Sequence, residues 1–246
     1  MSRQIVQIYE IQTPEEACAL IEMGVDHVGS VITSLKARHD PIIRETVGVV
    51  RKLGAISSVI PLYTDTEAVI DTISYYQPNI IHLCDRLDGS DDPAVDAAIA
   101  LQKVVKDRFP EIKITRSIPI AEHAGAQCRS ILTMAARLEP VSDYFLTDTV
   151  IDGSPHTVGG DQPVDGFVGI TGLTCDWQVA ARLVVHSRIP VILAGGISPE
   201  NVAAGIRQVD PFGVDSCTCT NALDESGQPI RFKKNMARVK MLVEQV

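Results

Sequence analysis

A chain of 246 residues with 45% apolar and 22% charged side chains has the length and core-forming content of one large α/β domain. Its 31 acidic against 22 basic residues give a formal charge of −9, which argues against a nucleic-acid partner but leaves room for a small phosphorylated ligand in a local site. Aromatics at 4% exclude a base-stacking platform, and no apolar run reaches the roughly 18 residues that span a membrane.

The chain enters a strand-like run, QIVQIY (4–9), with no signal-peptide pattern ahead of it. Six cysteines (Cys18, Cys84, Cys128, Cys175, Cys217 and Cys219) are scattered along it, the usage of reduced thiols, so the sequence predicts a cytoplasmic protein. A helix is predicted over TPEEACALIEMG, with Thr13 as N-cap, Pro14 in the first turn and Gly24 as the stop. The second strand is HVGSVI (27–32), followed by Arg38 and a helix over 41–53. SSVIPLY (57–63) precedes a helix over 66–76, and NIIHLC (79–84) precedes one over 93–108. IKITRSI (112–118) leads to a helix over 122–138, and DYFLTD (143–148) to one over 176–187. PVILAG (190–195) and FGVDSC (212–217) complete the strands, with helices over 198–208 and 230–245. The strands are short and rich in Val and Ile, as parallel strands buried on both faces are. Eight βα repeats without a composition break predict a single closed (β/α)8 TIM barrel, 1–246, over an open α/β sheet. The one irregularity is an enlarged loop at about 149–168.

The barrel supplies the functional map, because chemistry in this fold sits at the C-terminal ends of the strands and phosphate sits beyond strands 7 and 8. LAGGISPENV (193–202) ends strand 7, so Gly195 and Gly196 are expected to offer backbone N–H groups, and a helix starting near Pro199 its positive end, to a phosphate. GFVGITGLTCDW (166–177), with Gly172, is a glycine-rich loop able to shape the pocket wall. Asp148, following Phe145, Leu146 and Thr147, is the leading acid–base candidate, since partial desolvation at a barrel mouth raises a carboxyl pKa. Arg38 and Arg116 are candidate anion clamps. His82 and Cys84 share one face of strand 4, and each is either catalytic or a buried structural group. Asp215, inside strand 8, reads as structural. Cys217 and Cys219 lack the partners of a metal site, so no metal or cofactor is expected.

GITGLTCDW, LAGGISPENV and GVDSCTCTN follow one another at spacings that resemble the phosphoribosylanthranilate isomerase family. QIYEIQTPEEA, GVDHVGSVI with Arg38 downstream, and NIIHLCD resemble its strands 1, 2 and 4. The similarity is strongest over 169–221. It implies a (β/α)8 barrel that converts an N-linked aminoaldose phosphate into a 1-amino-ketose by an Amadori rearrangement. By that resemblance Asp148 is the general acid that opens the ribose ring, Arg38 meets the substrate carboxylate, and the loops holding Gly195, Gly196, Thr218 and Cys219 hold the phosphate.

The sequence departs from the family at the other end of the substrate. Where the family has Lys-Ile-Cys-Gly, with the cysteine as general base, this chain has Gln7-Ile8-Tyr9-Glu10. Tyrosine, with an ordinary pKa near 10, is a poor base, and Glu10 faces away unless the strand ends before it. His82 or Cys84 is the expected replacement. The alternatives are a non-catalytic barrel that binds a phosphorylated metabolite, or a phosphosugar lyase or epimerase. The sequence does not set the oligomeric state.

Overall fold

The computed structural model describes residues 4–151 and 165–246. Eight parallel strands close into a barrel in sequential order: β1 (Ile5–Ile8), β2 (His27–Ile32), β3 (Ile56–Pro61), β4 (Ile80–Leu83), β5 (Lys113–Ala121), β6 (Tyr144–Val150), β7 (Val191–Leu193) and β8 (Gly213–Ser216). Closure is made by β8 on β1, with Gln7 opposite Asp215 and Ile8 opposite Ser216. Helices α1 (Pro14–Glu22), α2 (Pro41–Lys52), α3 (Thr66–Tyr76), α4 (Pro93–Arg108), α5 (Cys128–Leu138), α6 (Trp177–His186), α7 (Val202–Val209) and α8 (Met236–Val243) connect them or follow them. No described helix is long and apolar enough to cross a membrane.

Period-2 alternation divides each strand between two cores. Val6, Ile8, Phe145, Leu193 and Val214 join the apolar layer under helices α1, α5 and α6. Tyr9, Val31, Ile60, Cys84, Leu146 and Ile192 fill the barrel interior. Six of the eight described α-helices start where a side chain satisfies free N–H groups. Thr13 accepts from Glu16 N–H, and Asp40, Asp65, Asp92, Asp176 and Asn235 act likewise.

Three predicted helices differ at their ends. β5 continues to Ala121, because Ile118 and Ile120 keep the chain extended, and α5 begins only at Cys128 without a side-chain cap. The segment after strand 7 makes a turn before α7 starts at Val202, and Asn201 reaches backward: its Nδ2 donates to Gly196 O at 2.8 Å. Residues 230–234, predicted helical, form β10 (Pro229–Lys234), paired antiparallel with β9 (Asn221–Leu223). PIRFKK alternates with a period of 2, and the turn between the two strands is fixed by Asp224, whose carboxylate accepts from the N–H groups of Ser226 and Gln228. The expected enlarged loop falls largely on 152–164, outside the described residues.

Candidate active site

The C-terminal mouth of the barrel holds a pocket. Asp148 from β6, His82 and Cys84 at the end of β4, and Asp215 from β8 line it together with Tyr9 and Glu10. Gly169 and Gly172 of the loop before α6, Gly195 and Gly196 after β7, and Thr218 and Cys219 after β8 complete the wall. Eight of the ten site residues expected from the sequence therefore converge: Asp148, His82, Cys84, Gly172, Gly195, Gly196, Thr218 and Cys219.

Asp148 sits at the inward-facing end of β6. Burial pushes its carboxyl up to about 7, and the N–H of Thr149, donated to its Oδ1 at 2.9 Å, only partly opposes this. A Cβ on Gly169 would lie 2.5 Å from Asp148 Oδ2, so that glycine keeps the space beside the carboxyl open. A carboxyl in this state carries its proton near neutrality and can give it to a developing oxyanion.

Backbone forms the opposite wall. Gly195 and Gly196 both have positive φ, 86° and 57°. A Cβ on Gly196 would stand 2.6 Å from Leu173 C, and one on Gly195 would stand 2.3 Å from Thr149 Oγ1. These glycines let the β7 loop lie directly against the chain's own 173–174 segment, which Thr149 ties down by donating to Leu173 O at 2.7 Å. No described residue accepts from the N–H groups of Gly195, Gly196 or Cys219. The positive end of α7 begins later than expected, and the 3-10 turn Thr218–Thr220 lines the same pocket as the glycines through Thr218 and Cys219. Behind that turn the Lys234 ammonium, 6% exposed, donates to Cys217 O at 3.0 Å and to Asn221 Oδ1 at 2.5 Å. Arg238 donates to Cys219 O at 2.8 Å. Free N–H groups backed by buried positive charge suit an anion.

The two arginines stand elsewhere. Arg116 has the wrong strand parity: its neighbour Ser117 points inward to His82, so Arg116 points out of the barrel. It is wholly buried and held by Asp85, whose carboxylate and carbonyl it meets at 2.6 Å each. Arg38 caps the 3-10 turn Leu35–Ala37, is 42% exposed, and pairs with Asp71 of α3 at 2.8 Å. Neither lines the pocket.

The two expected bases are present but chemically committed. His82 Nδ1 is 2.8 Å from Tyr9 Oη, and its Nε2 is 2.8 Å from Ser117 Oγ. Burial, aided by the Arg116 charge, lowers its pKa to about 3, so it is a neutral ring with both nitrogens used. Burial, together with the nearby carboxylates of Asp148 and Asp85, pushes the Cys84 thiol well up, so it stays protonated. Tyr9 shares a 2.6 Å hydrogen bond with Ser58, and burial raises its phenol further. Glu10 does reach the pocket, because β1 ends at Ile8 and Glu10 turns with φ 67°, but Arg231 holds its carboxylate at 2.6 Å.

Asp215 is the residue that the sequence reading set aside. It faces the pocket from β8, and Gln7 Nε2 donates to its Oδ1 at 3.1 Å. Gln7 Oε1 in turn faces His27 Nδ1 at 3.2 Å, which fixes the amide's orientation. Burial pushes the Asp215 carboxyl up to about 7, the Gln7 hydrogen bond opposes it, and the Asp148 charge adds to the rise. The available signal was parity: Asp215 lies between Val214 and Ser216, whose side chains point to the helices. Among the described residues no cluster of three or more His, Cys, Asp or Glu side chains is placed to hold a metal ion.

Known proteins share this architecture. The family model for N-(5'-phosphoribosyl)anthranilate isomerase matches residues 137–219, the span that carries Asp148 and the glycine loops. The enzyme of that name from Methanocella arvoryzae is 28% identical over 244 residues, covering 98% of this chain and 97% of its own. The crystal structure of phosphoribosyl anthranilate isomerase from Thermotoga maritima superposes with a TM-score of 0.68 at 21% identity, covering 99% of this chain and 98% of that one. A second such structure, in complex with reduced 1-(o-carboxyphenylamino)-1-deoxyribulose 5-phosphate, superposes with a TM-score of 0.66 at 20% identity, covering 99% and 98%.

Proposed function

We propose that this chain, which is similar to the N-(5'-phosphoribosyl)anthranilate isomerase family over residues 137–219 and to a curated enzyme of that name along 98% of its length, isomerises phosphoribosylanthranilate, or a close N-linked aminosugar phosphate, to the 1-amino-ketose. One observation carries the reading: a single pocket has a buried, proton-carrying carboxyl at Asp148 on one side and the glycine-built loops after β7 and β8 on the other. The phosphate is held by the N–H groups of Gly195, Gly196 and Cys219, with Lys234 supplying positive charge from behind and Arg238, ion-paired with Glu200, fixing the Cys219 carbonyl. That anchoring places the ribose ring toward Asp148. Asp148 gives its proton to the ring oxygen as the C1–O bond breaks, and the nitrogen lone pair forms the C1=N bond of the open chain. The related enzyme whose structure contains a reduced carboxyphenylamino-deoxyribulose phosphate accommodates a ligand of this shape.

A turnover assay with freshly prepared phosphoribosylanthranilate, run beside thermal-shift titrations with pentose phosphates, tests the proposal. Turnover above the uncatalysed rate supports it; no turnover overturns it. A second reading, a phosphometabolite-binding barrel without catalysis, is favoured by Tyr9, which stands where the family has its base and is locked to Ser58 and His82. Phosphate-dependent stabilisation without turnover would select it.

A further inference from the structure

The pocket contains a second carboxylate that the family's acid–base scheme does not use. Of the other ionisable groups lining it, Tyr9 and His82 are bonded to each other and to Ser58 and Ser117, and Glu10 is paired with Arg231. Cys84 is a buried thiol beside carboxylates, and Cys217 has its carbonyl and sulfur against Lys234. Asp215 alone, besides Asp148, presents a carboxylate oxygen that no described residue engages: Gln7 holds Oδ1, and Oδ2 has no described hydrogen-bond donor. The strand pairing explains why it stands in the right place. β8 lies beside β1, and Asp215 is in register with Gln7, two residues before the Tyr9 position that carries the family's base.

We infer that Asp215 is the general base of this chain, taking the C2 proton from across the β1–β8 seam in place of the missing strand-1 cysteine. The inference rests on the isomerase reading above. Once Asp148 has protonated the ring oxygen and the C1=N bond has formed, Asp215 carboxylate removes the C2 proton. The C2–H electron pair becomes the C1=C2 bond, and the C=N pair returns to nitrogen, giving the enolamine. The carboxylic acid of Asp215 then returns a proton to C1 while the C2 hydroxyl gives its proton to Asp148 carboxylate. C2 becomes the ketone, and both side chains regain their starting states. This cycle needs one carboxyl protonated and its neighbour ionised. Burial raises both carboxyls to about 7, and the Asp148 charge adds to the rise at Asp215, so a state with Asp148 protonated and Asp215 ionised is populated near neutrality. Gln7, oriented by His27, keeps Asp215 turned toward the pocket and is a positioning residue.

The test compares Asp215→Asn and Asp215→Ala with the unsubstituted protein. Asparagine keeps the Oδ1 acceptor for Gln7, so Asp215→Asn is expected to fold and bind with KM within about threefold, while kcat falls about 10²–10⁴-fold. Asp215→Ala is expected to be equally slow and to be accelerated by added formate, which a purely structural role would not produce. Given the amino-ketose product in deuterium oxide, the unsubstituted protein should exchange hydrogen at C1, and Asp215→Asn should not; this readout bypasses ring opening. A kcat within tenfold of the unsubstituted value in either folded variant overturns the assignment. Absence of turnover in the unsubstituted protein instead sinks the isomerase reading, and the assignment with it.

Discussion

The two sides of the pocket are built from different materials. The rim after β7 and β8 is backbone: Gly195, Gly196 and the Thr218–Thr220 turn offer N–H groups, and side chains enter only from behind. The floor along β1, β4, β5 and β8 is side chain: hydrogen bonds across strands join Gln7 to Asp215, and His82 to Tyr9 and Ser117. A backbone site depends on where glycine permits close approach, so it persists while neighbouring side chains change. A side-chain site changes with every substitution at an inward position, and Tyr9 stands at the one where the family that the sequence resembles has its base. Under the proposed reading, the comparison makes ligand anchoring by the rim and proton transfer from the floor separable in this barrel.

Substitutions can break that comparison, beginning with the largest effect. Asp148→Asn should lower kcat about 10²–10⁴-fold, because the amide has no proton to give at the ring oxygen; steady-state rates with fresh substrate check it, and near-normal turnover would remove Asp148 from the mechanism. On the backbone side, Gly196→Ala forces a Cβ to within 2.6 Å of Leu173 C. It should cost about 1–3 kcal/mol of stability and abolish the thermal shift caused by pentose phosphate, as denaturant unfolding with and without ligand would measure.

The buried carboxyl also shapes the pH dependence of stability. Asp148 is raised from 3.8 to about 7 on folding, so the folded chain holds a proton that the unfolded chain releases between those values. Its contribution is fully present below about pH 4 and is lost as pH rises toward 7. Asp148→Asn should therefore raise Tm at pH 8 by about 2–8 °C, with the gain vanishing near pH 4. Calorimetry across that range checks the sign, and a gain that persists at pH 4 would contradict it.

Smaller effects sharpen the floor. Tyr9→Phe removes a hydroxyl that serves both Ser58 and His82 and should cost about 1–3 kcal/mol, while kcat changes less than tenfold if Tyr9 is a wall and not a base. The smallest expected effect is Arg38→Ala. Its half-exposed pair with Asp71 is worth about 0–1 kcal/mol, and KM should stay within about threefold. A tenfold rise in KM would show that Arg38 leaves Asp71 to meet the substrate, as the family resemblance implies.

Sequence legibility divides along the same line. LAGGISPENV and its place at the end of strand 7 pointed to the rim, because glycine at positive φ is a local requirement written in the residue itself. The glycines nevertheless serve a contact the sequence did not reveal, the close packing on Leu173 and Thr149. Arg116 and Arg38 looked available only because their partners, Asp85 and Asp71, are 31 and 33 residues away in the chain. His82 looked like a base until its two nitrogens were found against Tyr9 and Ser117, on neighbouring or opposite strands.

By itself the sequence determined the eight-fold alternation of strand and helix, the Thr13 cap and most element ends, since these follow from period, propensity and residues within one turn of each other. It also placed Asp148 near the C-terminal end of strand 6, which runs on to Val150. Tertiary structure alone decided which polar side chains are free to act. Closure of β8 on β1 sets Asp215 against Gln7, a hydrogen bond spanning 208 residues. Burial at that seam raises the carboxyl, whereas ion pairing on the outer face consumes Arg116. Protonation state and availability depend on the dielectric and partners that surround a group, and those exist only once the barrel is closed.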